Sequence, residues 1–168
     1  MKPDIIVGVK SLGNGHPIGM TMARAAVADS FKGLTIATFG GNPVTMVAAK
    51  AVVDAIASDR LMDNAAAVGG HFRKRLDGLG EKHEAVGEVR GMGLMQGIEL
   101  VKDRQTKEPA PEKAAAAMEA AKDRGLIIGK GGLYGNVLRI SPAMNVTAAD
   151  ADQAADVIDQ SLEAAANV

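Results

Sequence analysis

A chain of 168 residues, 47% hydrophobic and 23% charged, has the makings of a packed core; disordered polymers and pairs of large domains are excluded. With 19 basic against 20 acidic residues the net charge is -1, which removes the global electrostatic case for nucleic acid or an anionic membrane as partner. The lack of cysteine excludes disulfides, thiolate chemistry and sulfur-built zinc sites; with no apolar run of membrane-spanning length and no secretory pattern, a cytoplasmic protein is expected.

Taken in order, residues 4–9 are the first predicted strand. Ile5, Ile6, Val7 and Val9 form an apolar run that reads as buried, and Lys10 puts an ammonium group at its mouth. A loop over 11–17 leads to IGMTMARAAVADSFKG, which begins strand-like, ends helix-like and closes at Gly33. Asn42 then suits an N-cap and Pro43 the first helical position, where its missing N–H has no partner to lose. Between 44 and 56 only Thr45, Lys50 and Asp54 are polar, so this helix is expected to be buried on several sides, against a partner in so small a chain.

Ser58 or Asp59 opens the next predicted helix, with Leu61, Ala65, Val68, Phe72 and Leu76 at helical spacing. Arg73, Lys74 and Arg75 sit in its expected last turns, and Gly78 and Gly80 read as its stop. VGEVRGMGLMQGIELV reads as a strand in which Gly91, Gly93 and Gly97 mark bulges or close backbone approach. KDRQTKEPAP is a polar linker, 111–124 an Ala-rich helix ended by Gly125, and LIIGKGGLYGNVLRIS a pair of short strands about a glycine turn. Thr147 caps a final helix running through Ala164, with Ala151, Ala154, Ala155, Ile158 and Leu162 on one face. The fold class is α/β, without an internal repeat.

Three places carry candidate chemistry. A lysine amine is nucleophilic only when neutral, a state that partial burial favours, and Lys10 at a strand end beside glycines suits a Schiff base with an aldehyde cofactor. The same residue also reads as a lysine with a buried stem and a wet head. TFGGNP places glycines and the Thr38 hydroxyl before a helix N-terminus, which fits either a phosphate site or an ordinary capped loop. Arg139, alone in the apolar VLRISP, offers a planar fork to a carboxylate or makes a structural ion pair; Arg90 in VRGMG reads the same way. GKGG lacks the Walker spacing, and His16, His71 and His83 lack ligand-like spacing, so no metal is expected. The methionines read as core filler.

In order, VKSLGNGHPIG, TFGGNP, VGEVRGMGLMQGIEL and LRISPAMNVT resemble the C-terminal portion of the class III aminotransferases, fold-type-I enzymes that use pyridoxal 5'-phosphate, and in particular the alanine–glyoxylate and 4-aminobutyrate branch. The likeness covers nearly the whole chain. It implies that Lys10 forms the Schiff base and shuttles a proton, and that Thr38 reaches the cofactor phosphate of a neighbouring subunit. It also implies that Gly40, Gly41 and Asn42 shape that cross-subunit loop, and that Arg139 grips the substrate carboxylate. Residues 1–58 are then expected to be a remnant of the cofactor-binding large domain, its strand part of a mostly parallel sheet, with a connecting helix. Residues 59–168 are expected to be the small α/β domain with antiparallel strands.

The family's subunits are longer. The acid that pairs with the pyridine nitrogen, the ring that stacks on the cofactor and the phosphate-binding turn lie upstream of its lysine. The chain is therefore expected to be a truncated product, an excised fragment or one half of a split enzyme, weakly active or inactive alone. The expected activity is amino transfer from an amino acid to a 2-oxo acid, with a homodimer or a complementary N-terminal chain as partner. A non-catalytic binding module, or another fold-type-I reaction such as a mutase, decarboxylase or racemase, is the alternative.

Overall fold

The computed structural model describes residues 2–166 and 168, and the chain divides into two compact units, Met1–Arg60 and Leu61–Val168. Among the described residues no helix is long and apolar enough to cross a membrane.

In the first unit, β1 (Ile5–Val9) pairs antiparallel with β2 (Gly19–Ala23), with Val7 opposite Thr21. A single 3-10 turn, Lys10–Gly13, and the left-handed Asn14 and Gly15 reverse the chain between them. A short α1 (Ala25–Ala28) leads to a loop and then to α2 (Pro43–Ser58), which packs alongside the 3-10 turn. The start of α2 is where the sequence puts it, because the Asn42 side chain accepts from the N–H groups of Val44 (2.9 Å) and Thr45 (3.4 Å).

One expectation for this unit needs correction. The β1 run is not buried: Ile5 is 52% and Val7 67% exposed, since β1 has one partner strand and neither face is covered. Among the described residues its one partner strand is the antiparallel β2. In the apolar helix α2, Val44, Met46, Val47 and Val53 are exposed in the single chain and Ala49 is buried.

The second unit holds the core. Helix α3 (Leu61–Lys82) runs into an antiparallel hairpin of β3 (Val86–Met92) and β4 (Met95–Asp103). A short β5 (Glu108–Pro109) pairs with β4, and α4 (Pro111–Asp123) follows. Strands β6 (Gly129–Gly131) and β7 (Val137–Ile140) complete an antiparallel sheet in the order β3-β4-β7-β6, and α5 (Ala148–Ala164) closes the chain. Helices α3 and α4 pack on the sheet and α5 packs on both. Phe72, Leu76, Ile98, Leu100, Leu138, Ile158 and the alanines Ala114, Ala117 and Ala155 form the interior, where small side chains let the helices approach closely. Thr147 opens α5 with a full capping box, its hydroxyl accepting from Asp150 N while the Asp150 carboxylate accepts from Thr147 N.

Three further expectations change here. Gly78 and Gly80 do not stop α3, which continues to Lys82 because Leu76 and Leu79 on the same turns are buried in the core. Its last carbonyls are satisfied from a distance, by the Arg104 guanidinium donating to Gly80, His83 (2.7 Å) and Glu84 (3.1 Å). The stretch read as one strand with bulges is a hairpin turning at Gly93 and Leu94, and the polar linker contains the short strand β5.

Candidate functional site

In the first unit, β1 delivers Lys10 to the opening of the 3-10 turn with φ 58, a left-handed conformation that costs a non-glycine residue about 1–2 kcal/mol. Strain of this kind persists where the surroundings fix it and clusters at functional positions. Lys10 is exposed rather than partly buried, and its amine has no hydrogen-bond or ion-pair partner among the described residues.

Thr38 lies on the turn before α2, exposed, its hydroxyl also without a partner. Gly40 N donates to Ala37 O at 2.9 Å, and Gly41 has φ 71 with open space where a side chain would stand. The first free N–H groups of α2 are taken by Asn42, so that side chain serves its own helix, and the exposed Thr38 hydroxyl and the Gly41 backbone are what this turn offers an anion.

In the second unit the two arginines of the sheet have different surroundings. Arg90 on β3 donates to Glu88 (2.8 Å) and, more closely, to Glu99, whose carboxyl is held below its usual range chiefly by that bond despite partial burial. Arg90 is therefore a structural ion pair. Arg139, on β7 opposite Gly97 and Gly129, is exposed and has no partner among the described residues. It lines a cavity of about 200 Å³ between the sheet, α3 and α5.

Asn136 was not signalled by any motif. It is 1% exposed, donates to Leu100 O at 2.8 Å and accepts from Leu100 N at 2.8 Å through its own carbonyl, which fixes β7 to β4 just before Arg139. A Gly-Asn pair before an apolar strand is the only local trace of it. His71 and His83 bind Asp152 (2.9 Å) and Asp159 (2.5 Å) across α3 and α5, and no group of three or more metal-ligating side chains occurs among the described residues.

The donors present fit an aldehyde phosphate and a carboxylate: a strained primary amine, a hydroxyl on a glycine turn and a guanidinium, each without a partner among the described residues. Against known proteins, the family model for class-III aminotransferases matches residues 1–162. The chain is 42% identical over 161 residues to the mitochondrial alanine–glyoxylate aminotransferase 2 homolog 2 of Arabidopsis thaliana, covering 95% of this chain and 34% of that protein. It is 41% identical over 163 residues to a leucine/methionine racemase of Thermococcus litoralis, covering 96% and 36%. A solved Bacillus anthracis aminotransferase superposes with a TM-score of 0.91 at 32% identity, over 97% of this chain and 39% of that one. The chain thus spans about a third of the length of the curated relatives it matches.

Proposed function

This chain belongs to the class-III aminotransferases, and on that premise we propose that it carries the lysine and the substrate-carboxylate arginine of a pyridoxal-phosphate-dependent transaminase acting between an amino acid and a 2-oxo acid. The observation that carries the reading is Lys10 itself: strained at φ 58, exposed and unpartnered at the end of β1.

Pyridoxal phosphate, when bound, supplies an aldehyde carbon and an electron-withdrawing ring. The Lys10 amine would hold that aldehyde, and as a free neutral amine it would serve as the base for the proton on the substrate α-carbon. The Thr38 hydroxyl would donate to the cofactor phosphate, across a subunit boundary, on a turn where Gly41 leaves open space. Arg139 offers the substrate carboxylate paired N–H donors. The exposed Leu34 (97%), Ile36 (89%) and Phe39 (83%) of the first unit support assembly with a second copy of this chain or a complementary one, since an apolar surface of that extent favours a protein partner.

The 41% identity to a leucine/methionine racemase favours a second reading, in which the same lysine moves the proton without nitrogen transfer. Incubation with pyridoxal phosphate, a 15N-labelled amino donor and an unlabelled 2-oxo acid in D2O separates the two. Label in a new amino acid supports the transaminase. Deuterium at the donor's α-carbon with its label retained supports the racemase, and neither change contradicts both.

A further inference from the structure

The cavity at Arg139 has a composition that selects among carboxylates. Most of its wall is apolar, formed by Phe72 of α3, Leu94, Leu126, Ile128, Val146 and Ala154 of α5, with the hydroxyl residue Ser141 beside them, and its volume is about 200 Å³. That is below the range of drug-sized pockets and comparable to cavities that hold one small hydrocarbon. Two charged side chains line it, Arg139 and Asp150. The guanidinium has no partner among the described residues. The Asp150 carboxylate is fixed at the start of α5 by Thr147 N (2.9 Å) and Thr147 Oγ1 (2.7 Å), and these bonds hold it below the usual carboxylate range, so it keeps its negative charge at neutral pH.

We propose that this cavity receives the side chain of the substrate, and that the substrate class is an apolar amino acid or 2-oxo acid of medium length, its carboxylate on Arg139 and its hydrocarbon chain among Phe72, Leu126, Ile128 and Ala154. The inference rests on the reading of Arg139 as the carboxylate-binding residue. A methyl side chain leaves the cavity empty, whereas a four-carbon branched chain removes most of its own apolar surface from water. A second carboxylate at the end of the chain meets apolar walls and the charge of Asp150, and is rejected.

The test is titration of the 168-residue chain, without cofactor, with 4-methyl-2-oxopentanoate, pyruvate and 2-oxoglutarate, following the Arg139 Nε–Hε resonance by NMR. The three acids share the 2-oxo carboxylate and differ only in the side chain. The expected result is a Kd for 4-methyl-2-oxopentanoate at least about tenfold below that for pyruvate, from three more buried carbons, with 2-oxoglutarate no tighter than pyruvate. Ala154→Leu, which fills the cavity, is expected to remove the preference for 4-methyl-2-oxopentanoate over pyruvate. Equal affinity for the three acids, with the Arg139 resonance shifting in each, overturns the cavity proposal and leaves the role of Arg139 standing. No shift of that resonance with any acid overturns both. The wild-type comparison alone decides the proposal if Ala154→Leu does not fold.

Discussion

Gly129 stands opposite Arg139 in the β6–β7 ladder, and a Cβ on Gly129 would lie 3.4 Å from both Nε and Nη2 of the guanidinium. The arginine lies over the strand because its neighbour has no side chain. Branched atoms there would occupy the space of the guanidinium, while the backbone of this edge strand accepts any residue. Gly129→Val is therefore expected to weaken carboxylate binding at Arg139 by about tenfold, the equivalent of one charge-assisted bond. Gly129→Ala is expected to recover most of the affinity.

The two sheet arginines should part company on substitution. Arg90→Met removes the partner of Glu88 and leaves Glu99 with Asn136 alone, and is expected to lower stability by about 1 kcal/mol in urea unfolding. Arg139→Met removes no bond and should stay within about 0.5 kcal/mol of wild type while abolishing the carboxylate response.

Gly69 on α3 touches the hairpin turn so closely that a Cβ would lie 2.2 Å from the carbonyl carbon of Gly93, whose φ is 53. Both contacting groups are backbone, so the helix and hairpin must separate. Gly69→Ala is expected to destabilise by about 3 kcal/mol or more. Gly70→Ala, one residue on with nothing within 4 Å, should instead stabilise by about 0.5–1 kcal/mol, as alanine replaces glycine inside a helix. Urea midpoints of the two variants give the comparison.

At the end of α3, Lys82 and His83 both bind Asp159 of α5. Burial pushes the Asp159 carboxyl up, but the bonds and charges of Lys82 and His83 outweigh it and leave the pKa lowered. A carboxyl lowered in the folded state adds stability that is fully present above its unfolded pKa of about 3.9 and is lost as pH falls through the folded value. Asp159→Asn should therefore flatten the loss of stability below about pH 4 and cost about 1 kcal/mol at pH 7. Thermal melts of both proteins across that window measure it.

What could be read from the sequence was local. Asn42 with Pro43, and Thr147 with Asp150, mark helix starts through bonds made within three residues, and both caps form. The end of α3 was misread because its carbonyls are satisfied by Arg104, some twenty residues on. The hairpin turn was read as a bulge because Gly93 answers to Gly69, which lies in a different element. The exposure of Ile5 and Val7 was equally hidden, since an apolar run tells that a strand wants cover and not whether the chain supplies it. At the site, Lys10 and Arg139 stood out as charges in apolar surroundings, whereas Asn136, Gly129 and the cavity depend on pairings between strands that no spacing reveals.

The central claim is that Lys10 holds the cofactor, and its strained φ of 58 makes the position replaceable without harm to the fold. Lys10→Gly is expected to match or exceed wild-type stability, by up to about 1 kcal/mol. The most direct measurement is to add pyridoxal phosphate to the purified chain, reduce with borohydride, and locate the adduct by peptide mass in wild type and in Lys10→Gly. A single adduct at Lys10, absent from the variant, is the expected result. Adducts spread over many lysines, or unchanged in the variant, would contradict it.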